Sequence, residues 1–207
     1  MGIKSFDDIN DLQIDVLREI ANIGSGNAAA SLSRMLGHPT NIAIPNIGIK
    51  GFNEAYEALG GAGSVMVGVL LMLTDGLDGM IMFLLPNDVA CELVNMLMCT
   101  EVTSYEEIDE VGISAINEVA NIMSASFVNA ISDMTSLKID ISPPEATLDM
   151  LGSIMSVPSI YFAEVSDSLL LIQNEIEIAG KTTSASVMLL PDMPSLEKLM
   201  TSLGIDV

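Results

Sequence analysis

Two long stretches of the chain repeat apolar residues at the three- and four-residue spacing of a helix. The first runs from Asp8 to Leu36 and stops at Gly37, with Pro39 just beyond, the usual punctuation of a helix end. The second covers Ile108 to Met134. Between and after them lie shorter runs rich in apolar and β-branched residues, which predict strands. In the first half these are Asn41 to Ile49, Ser64 to Thr74 and Gly79 to Leu85, the last two joined by the turn-forming "TDGLDG". In the second half they are Leu137 to Ser142, Ser159 to Glu164, Leu169 to Ala179 and Thr182 to Leu190, the last pair joined by "AGK". Glu145 to Ile154 reads as a short helix leading into the next strand. Hairpins covered by helices predict an α+β fold, with helices packed on an antiparallel β-sheet.

The pattern also repeats itself. Asp15, Glu19, Asn22 and Pro45 stand 99 residues before Ser114, Glu118, Asn121 and Pro144. "MFLLPNDVACELVNML" (Met82 to Leu97) resembles "VMLLPDMPSLEKLM" (Val187 to Met200) at an offset of 105. A period this long predicts duplicated half-domains rather than a solenoid. The expectation is one domain over 1–207, with pseudo-two-fold halves at about 8–100 and 107–204. The acidic segment Glu101 to Gly112 links them.

The repeat decides what "REIANIGSGNAAAS" (Arg18 to Ser31) is. Its glycines invite a phosphate-binding loop, but no Lys follows Gly26, and Gly24 and Gly26 align with Met123 and Ala125 in the second copy. A phosphate cradle would not survive both losses, whereas a helix improves with them. At about 100° per residue, Asp15, Glu19, Asn22 and Gly26 share a sector of roughly 60°. Val16, Leu17, Ile20, Ile23 and Ala28 are the expected core stripe, and Gly24 points inward, where it admits a second helix. The second helix sets Ser114, Glu118, Asn121 and Ala125 against Ile116, Val119, Ile122 and Phe127. One Glu-x-x-Asn on a helix is ordinary hydrated surface. Two retained copies point to use: a carboxylate pairs with a partner's Lys, and a carboxamide, both donor and acceptor, holds a water in place.

Charge narrows the partner. With 28 Asp and Glu against 7 Lys and Arg, the formal charge is -21. Such a field repels nucleic acid and anionic lipid and favours a basic surface, although solubility or salt adaptation accounts for it equally well. Cys91 and Cys99 form neither a disulfide framework nor a metal spacing, and the first residues lack the apolar core of a signal peptide. The most apolar run, Val65 to Leu73, is far short of the roughly 20 residues that span a bilayer. A cytoplasmic location without membrane insertion is expected. The sole His, His38, follows a helix end and reads as a surface or capping group. The 15 methionines read mainly as fillers of irregular core gaps.

At Asp15-Glu19-Asn22-Pro45 and Ser114-Glu118-Asn121-Pro144 the chain resembles the CheC/CheX/FliY family of chemotaxis phosphatases, whose pattern is Asp or Ser, three residues, Glu, two residues, Asn, twenty-two residues, Pro. The likeness covers essentially the whole chain and, with two motifs, is nearest the CheC type. It implies removal of phosphate from the aspartyl phosphate of the response regulator CheY. Asn22 and Asn121 would then position the attacking water, and Glu19 and Glu118 would contact the regulator's active-site Lys. Asp15 and Ser114 would support, orienting the Glu, and Pro45 and Pro144 would shape the scaffold. No cofactor of its own is implied, because Mg²⁺ is expected in the regulator. A second implied partner is the deamidase CheD, with Asp149 as a contact. A monomer is expected, since duplication supplies internally the symmetry a single-motif relative gains by pairing. The rival reading is a non-catalytic binding or scaffold module related to flagellar switch proteins.

Overall fold

The computed structural model describes residues 5–162, 168–178 and 180–205. Helix α1 (Asp11–Leu36) leads into strand β1 (Thr40–Gly51), the short helix α2 (Phe52–Ala58), the hairpin β2 (Val65–Thr74) and β3 (Gly79–Pro86), and helix α3 (Asn87–Met98). The second half opens with α4 (Glu110–Thr135) and continues through β4 (Asp140–Ile141), β5 (Glu145–Met150), α5 (Leu151–Ile154) and α6 (Ser156–Phe162). It closes with the hairpin β6 (Ser168–Ile178) and β7 (Lys181–Pro191) and helix α7 (Met193–Ser202).

All seven strands join one antiparallel sheet in the order β1-β6-β7-β3-β2-β4, with β5 also paired to β2. Strands of the two sequence halves therefore interleave, and neither half has a sheet of its own. Both faces are covered. On one, α1, α4, α3 and α7 bury the main core around Leu17, Ile20, Ile81, Phe83, Phe127 and Leu196. On the other, α2 and α5 close over Ala55, Leu84, Leu151 and Ile154. Five methionines (Met66, Met80, Met82, Met155 and Met188) fill this second core, as pliable side chains fill an irregular gap. With a core on each side, β3 is buried at almost every position rather than alternating, which explains its unbroken apolar run.

The helix ends are written locally. Asn10 and Gln13 form a reciprocal capping box at the start of α1, and Gly37 ends it in the left-handed conformation. At α4 the Asp109 carboxylate accepts from the Gly112 amide at 2.9 Å. Gly24 lies where α1 meets α4: a Cβ there would come within 2.9 Å of Phe127 Cδ1 and 3.0 Å of Phe127 Cα. The expected inward role of Gly24 is met, and α4 is the helix that approaches.

Several expectations need correction. Ser159 to Glu164 is not a strand: the chain is helical from Ser156 to Phe162, and residues 163–164 lie outside the described residues, as does 179 at the end of β6 and in the "AGK" turn. The strand at Leu137 to Ser142 shrinks to Asp140–Ile141, because it pairs only with the end of β2 at Leu73 and Thr74. Glu145 to Ile154 is mostly strand, since β5 pairs in full register along β2 and only its last four residues turn helical. Helix α2 had no sequence signal. Finally, α4 is long and apolar enough to cross a membrane by length and composition, but half of that segment is buried within the fold.

Candidate functional site

On α1 the polar face is as the periodicity predicts. Asp15, Glu19, Asn22 and Gly26 are all exposed, while Leu17, Ile20, Ala21 and Gly24 are buried. Asp15 forms an ion pair with Arg18, one turn on, rather than holding Glu19. Ile23 does not join the core. It is 36 % exposed and flanks Asn22 as an apolar rim.

The second face is similar but less open. Ser114 and Glu118 are exposed and Asn121 is half-buried. The Ser114 hydroxyl donates to the Glu110 carbonyl at 2.9 Å, so it is tied to its own helix. Ile122, the counterpart of Ile23, is again only partly covered. Asn117, one turn before Asn121 on the same side, was not anticipated. Its carboxamide oxygen is buried and accepts no hydrogen bond within the described fold. The sequence offered only a weak signal for it, since the first copy has Arg18 at that place.

An open groove of about 500 Å³ runs between the two long helices beside the second face. Ser31, Arg34 and Met35 of α1 form one wall, and Ile122, Ala125, Ser126 and Asn129 of α4 form the other. Ala125 is the small residue one turn past Asn121, so the groove opens directly from the motif face.

The two prolines stand in the strands that follow each helix. Pro45 lies in a bulge of β1, where Ile44 and Pro45 face the single residue Asn174 of β6 and the register shifts. A bulge is where a strand tolerates a residue with no N–H. Pro144 directly precedes β5. Asp149 is exposed on β5, and its carboxylate accepts from the neighbouring Met150 amide at 2.7 Å. His38 is exposed, Cys91 is buried, and Cys99 is exposed at the left-handed end of α3. Burial pushes the Cys91 thiol up, away from thiolate chemistry. Among the described residues no three His, Cys, Asp or Glu side chains gather as a metal site.

Comparison with known proteins matches these two regions. The model of the CheC-like family matches residues 12–47 and again 111–148, so each match contains one complete motif with its proline. The chain is 29 % identical over 203 residues to the CheY-P phosphatase CheC of Bacillus subtilis, covering 96 % of this chain and 97 % of that one. In fold it is similar to the crystal structure of Thermotoga maritima FliY, with a TM-score of 0.77 and 24 % identity over 95 % of this chain and 98 % of that one. It is also similar to the FliM middle domain of H. pylori, at a TM-score of 0.66 and 11 % identity over 94 % and 99 % of the two chains.

Proposed function

We propose that this chain, which resembles the CheC-like proteins along nearly its whole length, removes phosphate from a phosphorylated response regulator of the CheY kind. The observation that carries the reading is the pair of exposed Glu-x-x-Asn faces, each lying inside a separate match to the same family model. Two matches to one model also favour reading the halves as a duplication.

Phosphoryl transfer asks mainly for positioning and charge stabilisation. In this reading the regulator brings the phosphoryl group, Mg²⁺ and a Lys. Glu19 or Glu118 pairs with that Lys and seats the helix face in the partner's site. Asn22 or Asn121 then hydrogen-bonds a water and fixes it in line with phosphorus. The water oxygen bonds to phosphorus as the bond to the aspartyl oxygen breaks. Inorganic phosphate leaves, the aspartate returns as carboxylate, and the water's proton passes to phosphate or solvent. A carboxylate leaves without needing protonation, so the face needs no general acid. Ile23 and Ile122 supply an apolar rim that excludes solvent around each Asn.

Binding and turnover separate under mutation. Glu19→Ala with Glu118→Ala should weaken binding of the phosphorylated regulator. Asn22→Ala with Asn121→Ala should leave binding and remove acceleration of phosphate loss. A wild-type chain that binds without acceleration would instead favour the scaffold reading, which the fold shared with the FliM middle domain makes the natural rival. For CheD, two exposed features follow one another in the chain: Asp149 and Met150 at the end of β5, and Val157, Ile160 and Tyr161 on α6, with Ile160 at 78 %. Ile160→Asp should abolish CheD binding while leaving phosphate loss unchanged, as measured by pull-down and by phosphate release. The chain acts as a monomer in this reading, and sedimentation tests that.

A further inference from the structure

The groove beside the second motif is lined on its α1 side by an exposed cation, Arg34. In a chain of formal charge -21, Arg18 pairs with Asp15, and Lys138 pairs with Asp75 and Asp140. Among the described residues Arg34, like Lys50 and Lys198, has no carboxylate at ion-pair distance, and its guanidinium donates to the Ser31 hydroxyl at 3.0 Å. A cation in the last turn of a helix is favoured by the helix dipole. Arg34 stands in that position on α1, whereas the corresponding position of α4, 99 residues on, is Asp133, and α4 has no basic residue in its last turn, so the two helices differ here. Beside Arg34 the groove has a mixed lining, apolar at Met35, Ile122 and Ala125 and polar at Ser31, Ser126 and Asn129. A guanidinium on the wall of a part-apolar groove fits a side chain with an aliphatic stem and a carboxylate tip.

We infer that Arg34 receives an acidic side chain of the phosphorylated partner docked on the Glu118/Asn121 face, and so makes the second motif the tighter of the two sites. The inference rests on the docking described under the proposed function. At the first motif the same register offers Asp133 in place of Arg34, which would repel that carboxylate. Arg34 is thus a docking residue that acts on affinity and leaves the chemistry at phosphorus to Asn121.

The test uses the full chain and CheY loaded with beryllofluoride, a stable mimic of the aspartyl phosphate. In a chain whose first face is blocked by Glu19→Arg and Asn22→Arg, Arg34→Glu should raise Kd about tenfold or more, with most of the loss recovered by Arg34→Lys and shrinking as salt rises. In the mirror chain, blocked by Glu118→Arg and Asn121→Arg, Arg34→Glu should change Kd by less than about twofold. Unaltered helical circular dichroism shows that each variant is folded. Equal effects in the two chains overturn the inference, as does a change in the rate of phosphate loss at saturating protein with Kd unmoved, because the guanidinium would then be acting on the phosphoryl group. If the unmutated chain accelerates phosphate loss while Arg34 variants bind normally, this inference fails alone. If the unmutated chain does not bind, the docking reading fails and takes this one with it.

Discussion

On α1 the Glu-Asn pair is exposed, next to an ion pair between Asp15 and Arg18. On α4 the same pair borders a groove: Asn121 is half-buried, Asn117 has an unpaired buried oxygen beneath the surface, and Arg34 faces it from the neighbouring helix. Both helices are 26 residues long and pack on the same face of one sheet. On the exposed face they share the Glu, the Asn, the isoleucine beside it and a small residue one turn on. What differs is the surroundings of that face, Arg18 against Asn117 and Arg34 against Asp133.

The contact that holds the helices in this relation is Gly24 against Phe127. Phe127→Ala should have the largest effect, a loss of about 3–5 kcal/mol in chemical denaturation, because a fully buried aromatic leaves a cavity. Gly24→Ala comes next. A Cβ at that place gains about 1 kcal/mol of helix propensity, but it meets Phe127 backbone as well as ring, and overpacking costs about 1–3 kcal/mol. The net result should be destabilisation. The double variant should lose less than the sum, since removing the ring relieves much of the clash.

Gly26→Ala probes the opposite case. Nothing lies within 4 Å of a Cβ there, and Ala125 already occupies the matching place on α4. Stability should rise by about 0.5–1 kcal/mol with phosphate loss retained. The smallest effect belongs to the exposed charges beyond the helices. The Lys138 ammonium, hydrogen-bonded to Asp75, holds that carboxyl below its usual range. A lowered carboxyl pKa contributes stability above the unfolded value of 3.8, and that contribution is lost as pH falls through the folded value. Lys138→Met should therefore lower the melting temperature slightly at pH 6, and the difference from wild type should shrink as pH falls below 3.8 and through the lower folded value.

Legibility followed the physics of each element. The long helices, the Gly37 stop of α1 and the motif faces were readable, because amphipathic period and glycine at a helix end are local signals, whereas the capping residues Asn10 and Asp109 were not singled out. The β2–β3 and β6–β7 hairpins were readable from β-branched runs and turn residues. Residues 156–162 were not, because Val157, Ile160 and Tyr161 look like strand residues and only tertiary context makes them an exposed helix. Strand β5 was hidden because its pairing with β2 is a long-range event. At the site, Glu and Asn positions came from the repeat. Ile23 and Ile122 were assigned to the core by type, although they lie on the flank between core and motif. Arg34 was invisible because it belongs to the first half and serves the second, a relation created by helix packing alone.

The most direct measurement is the initial rate of phosphate loss from phosphorylated CheY, with Mg²⁺ present, against added wild type, Asn22→Ala, Asn121→Ala and the double variant. The expected result is acceleration by wild type, partial activity in each single variant with the larger loss in Asn121→Ala, and none in the double variant while it still binds. Undiminished acceleration by the double variant would contradict the role given to the two asparagines.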